Sequence, residues 1–197
     1  MVGKLTDDGI LSGSMAPVLM NESHPTYGMS RNDLMARVMN ARGIGEYPQE
    51  GFSGSEAAEH GNELEGYIIK TAAERLGIDK YQDEVTQVYN YDNLFSVSLD
   101  GILYNEKMIA QATDSIILMN GQDEMQLRRN GIIEAKLTSA HFTETPPPYR
   151  GPWQLQMQMM CYGAEWGAIA TLYQGTRLVV NVYEADYEMQ KQLVSAA

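Results

Sequence analysis

Residues 130–140, with the sequence NGIIEAKLTSA, place two charged side chains inside a segment that otherwise has the pattern of a buried strand. Side chains alternate between the two faces of a strand, so Glu134 and Lys136 share one face while Ile133 and Ala135 point to the other. A charged pair in a buried strand is costly unless it is paired or used in function. This strand therefore predicts a sheet packed against other elements and, within it, either a structural ion pair or a site of chemistry.

The segments around this strand alternate between helical and extended patterns. Helices are predicted from a capped start at Ser30 to about Gly43, from Glu56 to Leu76 with Gly77 as the C-cap, over 153–162, and at the C-terminus. Strands are predicted at 84–90, 94–99, 102–104, 114–119 and 132–137, followed by a hairpin of 168–173 with 178–183. This order predicts an α/β chain with a central mixed β-sheet flanked by helices, in a single domain over residues 1–197.

Composition narrows the class of protein. A chain of 197 residues with 44% hydrophobic content can bury one core, and no apolar run approaches the ~18 residues that cross a membrane. The N-terminus lacks the pattern of a secretory signal, and the single cysteine excludes an internal disulfide, so we expect a cytoplasmic protein without a membrane partner. The formal net charge of −12 argues against binding to nucleic acid unless bound cations or a local basic lining offset it.

Two further carboxylates have sequence contexts that suit a site with Glu134 and Lys136. Asp100 stands at the end of a predicted strand in SVSLDG, and Glu65 lies on the apolar side of the helix 56–76, whereas Glu63 lies on its polar side. Carboxylate oxygens coordinate Mg²⁺, and a lysine can position or polarise an attacking water, as hydrolysis of a phosphodiester requires. Each of these residues has a structural alternative that remains open. Glu134 and Lys136 could form a structural ion pair, Asp100 could belong to a turn, and Glu65 could be a solvated helix residue.

Five segments, which occur in order and span most of the chain, together resemble the phage lambda exonuclease and YqaJ-type viral recombinase family, whose nucleases are built on a D…(D/E)xK core. LSGSMAPVLM is similar to the family's Gly-Ser-x-x-Ala segment, GNELEGYIIKTAAERLG to its helix with a glycine and a glutamate, and SLDG to its Ser-Pro-Asp-Gly. IIEAKL matches Glu-x-Lys, and WQLQMQMMCYGAEW resembles the family's Gln-x-Gln helix. The resemblance implies a restriction-endonuclease-like core.

The resemblance also implies roles for individual residues. Asp100 and Glu134 would bind the metal, with the backbone carbonyl of Ala135 as a third ligand and Glu65 as a direct or water-mediated one. Lys136 would orient the nucleophile. The implied neighbours of the active site and of a substrate phosphate are Gln154, Gln156, Ser98, Ser14 and Ser12. Outside the resemblance, Arg150 follows three prolines and is either a contact to the phosphate backbone or part of a plain rigid loop.

The activity that the resemblance implies is hydrolysis of linear double-stranded DNA from its 5′ ends, with Mg²⁺ as the cofactor and Mn²⁺ as its substitute. Members of that family leave a 3′ strand for a single-strand annealing protein, and some form toroidal trimers. DNA ends, an annealing protein and further copies of this chain are therefore the expected partners. Two alternatives stay open: an endonuclease with the same core, and a non-catalytic DNA-binding or scaffold protein, which the acidic net charge favours.

The chain departs from the family pattern between its two central carboxylates. Asp100 and Glu134 are 34 positions apart, which is more than a short hairpin needs. The additional segment, at about 107–130, is predicted as an inserted hairpin. Its Arg128 and Arg129 would reach DNA, contact another copy of the chain or simply face solvent.

Overall fold

The computed structural model describes residues 9–22, 29–45, 56–147 and 151–197, with side chains described from residue 63 onward in the 56–76 helix. Within these residues the helices are a 3₁₀ turn at Gly13–Met15, α1 (Ala16–Leu19), α2 (Arg31–Ala41), α3 (Glu56–Leu76), α4 (Pro152–Tyr162) and α5 (Tyr187–Ala196). The strands are β1 (Leu11–Ser12), β2 (Tyr81–Gln82), β3 (Tyr89–Tyr91), β4 (Phe95–Val97), β5 (Gly101–Leu103), β6 (Lys107–Gln111), β7 (Ile116–Leu118), β8 (Glu124–Arg128), β9 (Gly131–Thr138), β10 (Trp166–Tyr173) and β11 (Arg177–Glu184). None of the described helices is both long and apolar enough to cross a membrane.

Six strands form the central sheet, in the order β2-β5-β9-β10-β11-β7. β9 pairs with β10 in parallel, and β11 pairs with β7 in parallel. The other three pairings, β2–β5, β5–β9 and β10–β11, are antiparallel. A smaller sheet, β1-β4-β3, contacts α4. The prediction of a central mixed sheet flanked by helices is confirmed.

Apolar side chains cover both faces of the central sheet. On one face, α3 and the β6–β8 pair bury Ile133, Ala168 and Val180. On the other face, α1, α2, α4, α5 and the smaller sheet bury Ile132 and Ile169. β9 is therefore covered on both sides. Because its side chains alternate between the faces, its charged pair points toward α4.

Local sequence signals explain where two of the helices begin and end. Ser30 caps α2, because its hydroxyl accepts a hydrogen bond from the Asp33 N–H and the Asp33 carboxylate accepts one from the Ser30 N–H. Gly77 ends α3 with a φ of 72°, a left-handed conformation that glycine adopts without steric cost. α3 has the bounds that its amphipathic pattern and this glycine predict.

Two strand predictions are wrong in their bounds. Of the segment 84–90 only its last two residues belong to a strand, β3, since Val85 is the single buried side chain among residues 84–88 and none of these residues pairs with a described strand. The strand before Asp100 ends at Val97, so this aspartate directly precedes β5 instead of ending β4. β5 pairs with β9, which brings Asp100 toward the charged pair by sheet register.

Residues 107–130 contain a hairpin and an edge strand. β6 and β8 pair antiparallel as a separate two-stranded sheet, whose apolar side packs into the α3 layer through Ala110, Met125 and Leu127. β7, which lies between them in the chain, instead joins β11 at the edge of the central sheet. Arg128 and Arg129 are both exposed at the end of this hairpin, and Arg129 forms an ion pair of 3.6 Å with Glu165.

Candidate active site

Glu134 is a carboxylate held inside the protein by hydrogen bonds to both of its oxygens. It lies in the middle of β9, and its side chain is 2% exposed. Its Oε1 accepts from the Lys136 ammonium and, at 2.6 Å, from the Gln154 amide. Its Oε2 accepts from the Gln158 amide at 2.6 Å. The Lys136 ammonium also donates to the Gln154 oxygen at 3.3 Å, so Lys136, Glu134 and Gln154 form a closed triangle.

Asp100 meets this network from the neighbouring strand. Its Oδ2 accepts a hydrogen bond from the Ala135 backbone N–H at 2.8 Å. The close approach of β5 to β9 depends on Gly101, since a Cβ there would lie 2.8 Å from Ile133. Burial, and after it the negative charge of Glu134, raise the pKa of the Asp100 carboxyl well above its usual range, although Lys136 lowers it.

Glu65 is the third carboxylate of the cluster. It is half-buried on α3, whereas Glu63, two residues earlier, is exposed, as the helix pattern predicts. Burial is the largest cause that raises the pKa of Glu65, and the charge of Glu134 raises it further while Lys136 lowers it. Glu65, Asp100 and Glu134 therefore act on one another electrostatically, although they belong to a helix and two different strands.

The face of α4 that meets β9 carries Gln154 and Gln158, which are one helical turn apart. Gln156 points the other way. Its amide donates to the Glu184 carbonyl at 3.0 Å and its oxygen accepts from the Asp186 N–H at 2.9 Å, which ties α4 to the start of α5. The structure therefore does not bring Gln156 to the carboxylates, because two helical steps turn a side chain by ~200°.

The motif resemblance does not select Gln158, although it also contacts Glu134. Its spacing of four residues from Gln154 is the sequence signal that places both side chains on one face of the helix. Its Nε2 donates to Glu134 and, at 3.2 Å, to the carbonyl of Ser98. Gln158 thereby connects β9 to the segment that precedes Asp100.

The N-terminal serines lie beside the same two glutamines. Ser12 is buried in β1, Ser14 is exposed, and their hydroxyls are 3.2 Å apart. A Cβ on Gly13, which stands between them, would lie 3.5 Å from Gln154 and 3.7 Å from Gln158. Ser98 is exposed on the loop that leads to Asp100. The predicted serines thus lie in segments that reach Gln154 or Gln158 through Gly13 and the Ser98 carbonyl, whereas Arg150 lies outside the described residues.

Solved structures that are similar to this chain include exonucleases. Similar structures include that of LHK-Exo in complex with dAMP, with 18% identity, a TM-score of 0.64, and coverage of 98% of this chain and 86% of that one. The alkaline exonuclease LHK-Exo from Laribacter hongkongensis gives 18% identity, a TM-score of 0.61, and coverage of 96% and 84%. A phage-related exonuclease from Haemophilus somnus 129PT gives 13% identity, a TM-score of 0.62, and coverage of 95% and 89%. No protein-family model and no curated protein matches the chain.

The chain has the fold of these exonucleases. The resemblance that the sequence motifs indicate is therefore confirmed at the level of the fold. The nuclease-like fold also explains why distant segments meet, because the register of β5 on β9 and the packing of α3 and α4 bring the carboxylates and glutamines together.

The oxygen donors of this cluster fit a divalent cation. Asp100, Glu134 and Glu65 place three carboxyl groups near the single ammonium of Lys136. The charge of Glu134 helps to raise the pKa of the other two, and a bound cation would relieve this repulsion. Mg²⁺ takes oxygen ligands and often uses only one or two carboxylates, completing its shell with waters. That requirement is met here even though no group of three acidic, histidine or cysteine side chains within the described residues is arranged to enclose a metal.

Proposed function

We propose that this chain is a metal-dependent deoxyribonuclease that hydrolyses phosphodiester bonds of linear double-stranded DNA, starting from 5′ ends. The observation that supports it best is the convergence of Asp100, Glu134 and Lys136 through the pairing of β5 with β9. An isolated ion pair would need only Glu134 and Lys136. With the added carboxyl groups, the cluster has more acidic groups than the single ammonium can pair with, which fits a cation site better than a structural ion pair.

Asp100, Glu134, the backbone carbonyl of Ala135 and, directly or through water, Glu65 would hold Mg²⁺ or, in its place, Mn²⁺. When bound, the cation offsets charge on the phosphate and promotes ionisation of water. Lys136 would position the attacking water. Gln154 donates to Glu134 and accepts from Lys136, so it keeps both side chains in one arrangement.

Ser98, Ser14 and Ser12 would contact a phosphate of the substrate strand, since their segments lie against the glutamines that bind Glu134. Arg150 is a further candidate contact to the DNA backbone. The complex of LHK-Exo with dAMP supports a deoxynucleoside monophosphate as the product. We place the activity in phage-type recombination or DNA end processing in the host cytoplasm, with a single-strand annealing protein as partner and a trimer as the assembly.

The test is a linear duplex labelled separately at its 5′ and 3′ ends and incubated with Mg²⁺ and either wild-type protein or Asp100→Asn. The asparagine keeps an acceptor for the Ala135 N–H but removes the charge. We expect mononucleotides to be released from 5′ ends by the wild type, and no release by the variant or in EDTA. Release from 3′ ends would overturn the proposed polarity.

A covalently closed circular duplex separates the exonuclease from an endonuclease with the same core. An exonuclease leaves the circle intact. Cleavage of the circle would replace our proposal with the endonuclease. A folded protein that degrades neither substrate in Mg²⁺ or Mn²⁺ would point to a non-catalytic binding protein.

A further inference from the structure

Two glutamines of the same helix bind the same carboxylate, yet their amide groups are satisfied to different degrees. Gln154 uses both ends of its amide, because the nitrogen donates to Glu134 and the oxygen accepts from Lys136. Gln158 uses only the nitrogen, which donates to Glu134 and to the Ser98 carbonyl. Its Oε1 has no hydrogen-bond partner within the described part of the chain, although the side chain is only 1% exposed.

The orientation of the Gln158 amide is fixed by its partners. Both groups within reach of Nε2, the Glu134 carboxylate and the Ser98 carbonyl, are acceptors only, so an exchange of the amide nitrogen and oxygen would place acceptor against acceptor. The unpartnered atom is therefore an oxygen that requires a donor. A buried acceptor without a donor is costly, and native proteins seldom retain one that has no role.

Gln156 shows what a purely structural glutamine looks like on this helix. It is 2% exposed, nearly as buried as Gln158. Its nitrogen donates to Glu184, and its oxygen accepts from Asp186 and, at 3.3 Å, from Gln190. Burial on α4 is thus compatible with a fully bonded amide. In contrast, the amide oxygen without a partner is on Gln158, which lies on the face of α4 that contacts Glu134.

We propose that Gln158 is a positioning residue for the cation: its nitrogen fixes the orientation of Glu134, and its oxygen accepts a hydrogen bond from a water molecule in the hydration shell of a bound divalent cation. The inference rests on the proposed function. A water held by a cation is a strong donor, and partners behind the ligands of a metal orient those ligands and tune the affinity. Gln158 contributes to cation affinity, whereas Gln154 also holds Lys136.

The test compares Gln158→Met with Gln156→Met in the full chain. Both variants replace a buried amide on α4 by an apolar side chain of similar length, so both report the structural cost of losing hydrogen bonds. The primary readout is binding of Mn²⁺, measured by calorimetry and by the electron paramagnetic resonance spectrum of the bound ion. We expect Gln158→Met to weaken Mn²⁺ binding at least about 10-fold, as loss of a partner behind a metal ligand does. Gln156→Met should lower the melting temperature but leave affinity within about twofold of wild type, because its partners lie in α5 and β11.

Kinetics give a second readout that a structural defect would not reproduce. For Gln158→Met, the Mn²⁺ concentration at half-maximal rate should rise, with a much smaller change in the rate at saturating Mn²⁺. Wild-type protein that binds no Mn²⁺ would defeat the proposed function itself. Wild-type protein that binds Mn²⁺ while Gln158→Met binds it equally well would overturn only the role of Gln158.

A second variant covers the case in which Gln158→Met does not fold. Gln158→Glu keeps the size of the side chain and supplies acceptors, but it places a carboxylate against Glu134. Added Mn²⁺ should then raise its melting temperature by more than it raises that of wild type, because the cation offsets the additional charge. An equal or smaller rise would contradict the proposal that position 158 faces the bound cation.

Discussion

β9 and β10 are neighbouring parallel strands of eight residues each, but only β9 carries charged side chains. β10, with the sequence WGAIATLY, is buried along its full length and carries no charge. In register with it, Glu134 of β9 lies beside Ile169, and Lys136 lies beside Thr171. An uncharged side chain is therefore compatible with this face of the sheet. The charges of β9 therefore cost stability that packing does not require, as the proposed catalytic role of Glu134 and Lys136 would explain.

The largest effect should come from removing Lys136, the charged residue of β9 that we propose positions the attacking water. Lys136→Met should lower kcat about 10²–10⁴-fold, the range for groups that act on the proton or nucleophile in the transition state. Binding of DNA and of Mn²⁺ should change little. Thr171→Val, its neighbour in β10, is the matched control and should keep the wild-type rate. Single-turnover hydrolysis of an end-labelled duplex measures both, and a near-normal rate for Lys136→Met would remove Lys136 from the mechanism.

β10 should show the opposite behaviour, with stability lost and cation binding kept. Leu172 lies on the α3 side of β10, beside Leu137, and is buried in the core there. Leu172→Ala should destabilise the fold by about 2–5 kcal/mol through lost burial and a residual cavity. Urea denaturation measures the loss, and Mn²⁺ titration of the folded variant should give the wild-type affinity. A large change in that affinity would mean that β10 also contributes to cation binding and does not act only through stability.

A smaller and opposite change in stability is expected at Asp100. Its pKa is raised in the fold, so the ionised form is disfavoured there and the native state loses stability as pH rises from about 4. In EDTA at pH 8, Asp100→Asn should therefore be more stable than wild type by about 0.5–2 kcal/mol, because the variant has no buried negative charge at this position. That is a typical gain for a single stabilising substitution. The difference should vanish near pH 4. Mg²⁺ should raise the melting temperature of wild type but not of the variant.

The two strands also show which structural features a local sequence pattern can predict. Alternation along β9 predicts which side chains share a face, and the amphipathic pattern of α3 separates Glu65 from Glu63, because both signals are local. The edge position of β7, and the lack of a strand partner for residues 84–88 among the described strands, depend on pairings that no local pattern contains.

The glutamines of α4 illustrate the same limit within the site. Motif resemblance selected Gln154 and Gln156, but the helix turns ~100° per residue, so Gln158 and not Gln156 returns to the face of Gln154. The spacing alone could have favoured Gln158. Only the tertiary contacts, which place Gln156 against Glu184 and Asp186, decide which face of α4 meets β9.

The smallest effect on the reaction rate is expected at Gly151, where the N-terminus of α4 approaches side chains of both strands. Its φ is 120°, and an added Cβ would lie 3.1 Å from Ile169 of β10 and 3.8 Å from Lys136 of β9. In Gly151→Ala, strain of about 1–3 kcal/mol is expected together with a small displacement of these side chains. The rate should fall by about threefold, which is well below the ~10²-fold that a 1 Å misplacement can cost.

Gly163, at the other end of the same helix, supplies the control for Gly151. Its φ is 80°, so alanine is strained there too, but an added Cβ would have no heavy atom within 4 Å. Gly163→Ala should therefore lower the melting temperature without changing the rate per folded molecule. If both variants lost stability and neither lost activity, the position of Lys136 would be insensitive to the end of α4. The triangle of Lys136, Glu134 and Gln154 would then be held by its own hydrogen bonds, and β9 alone would carry the geometry of the site.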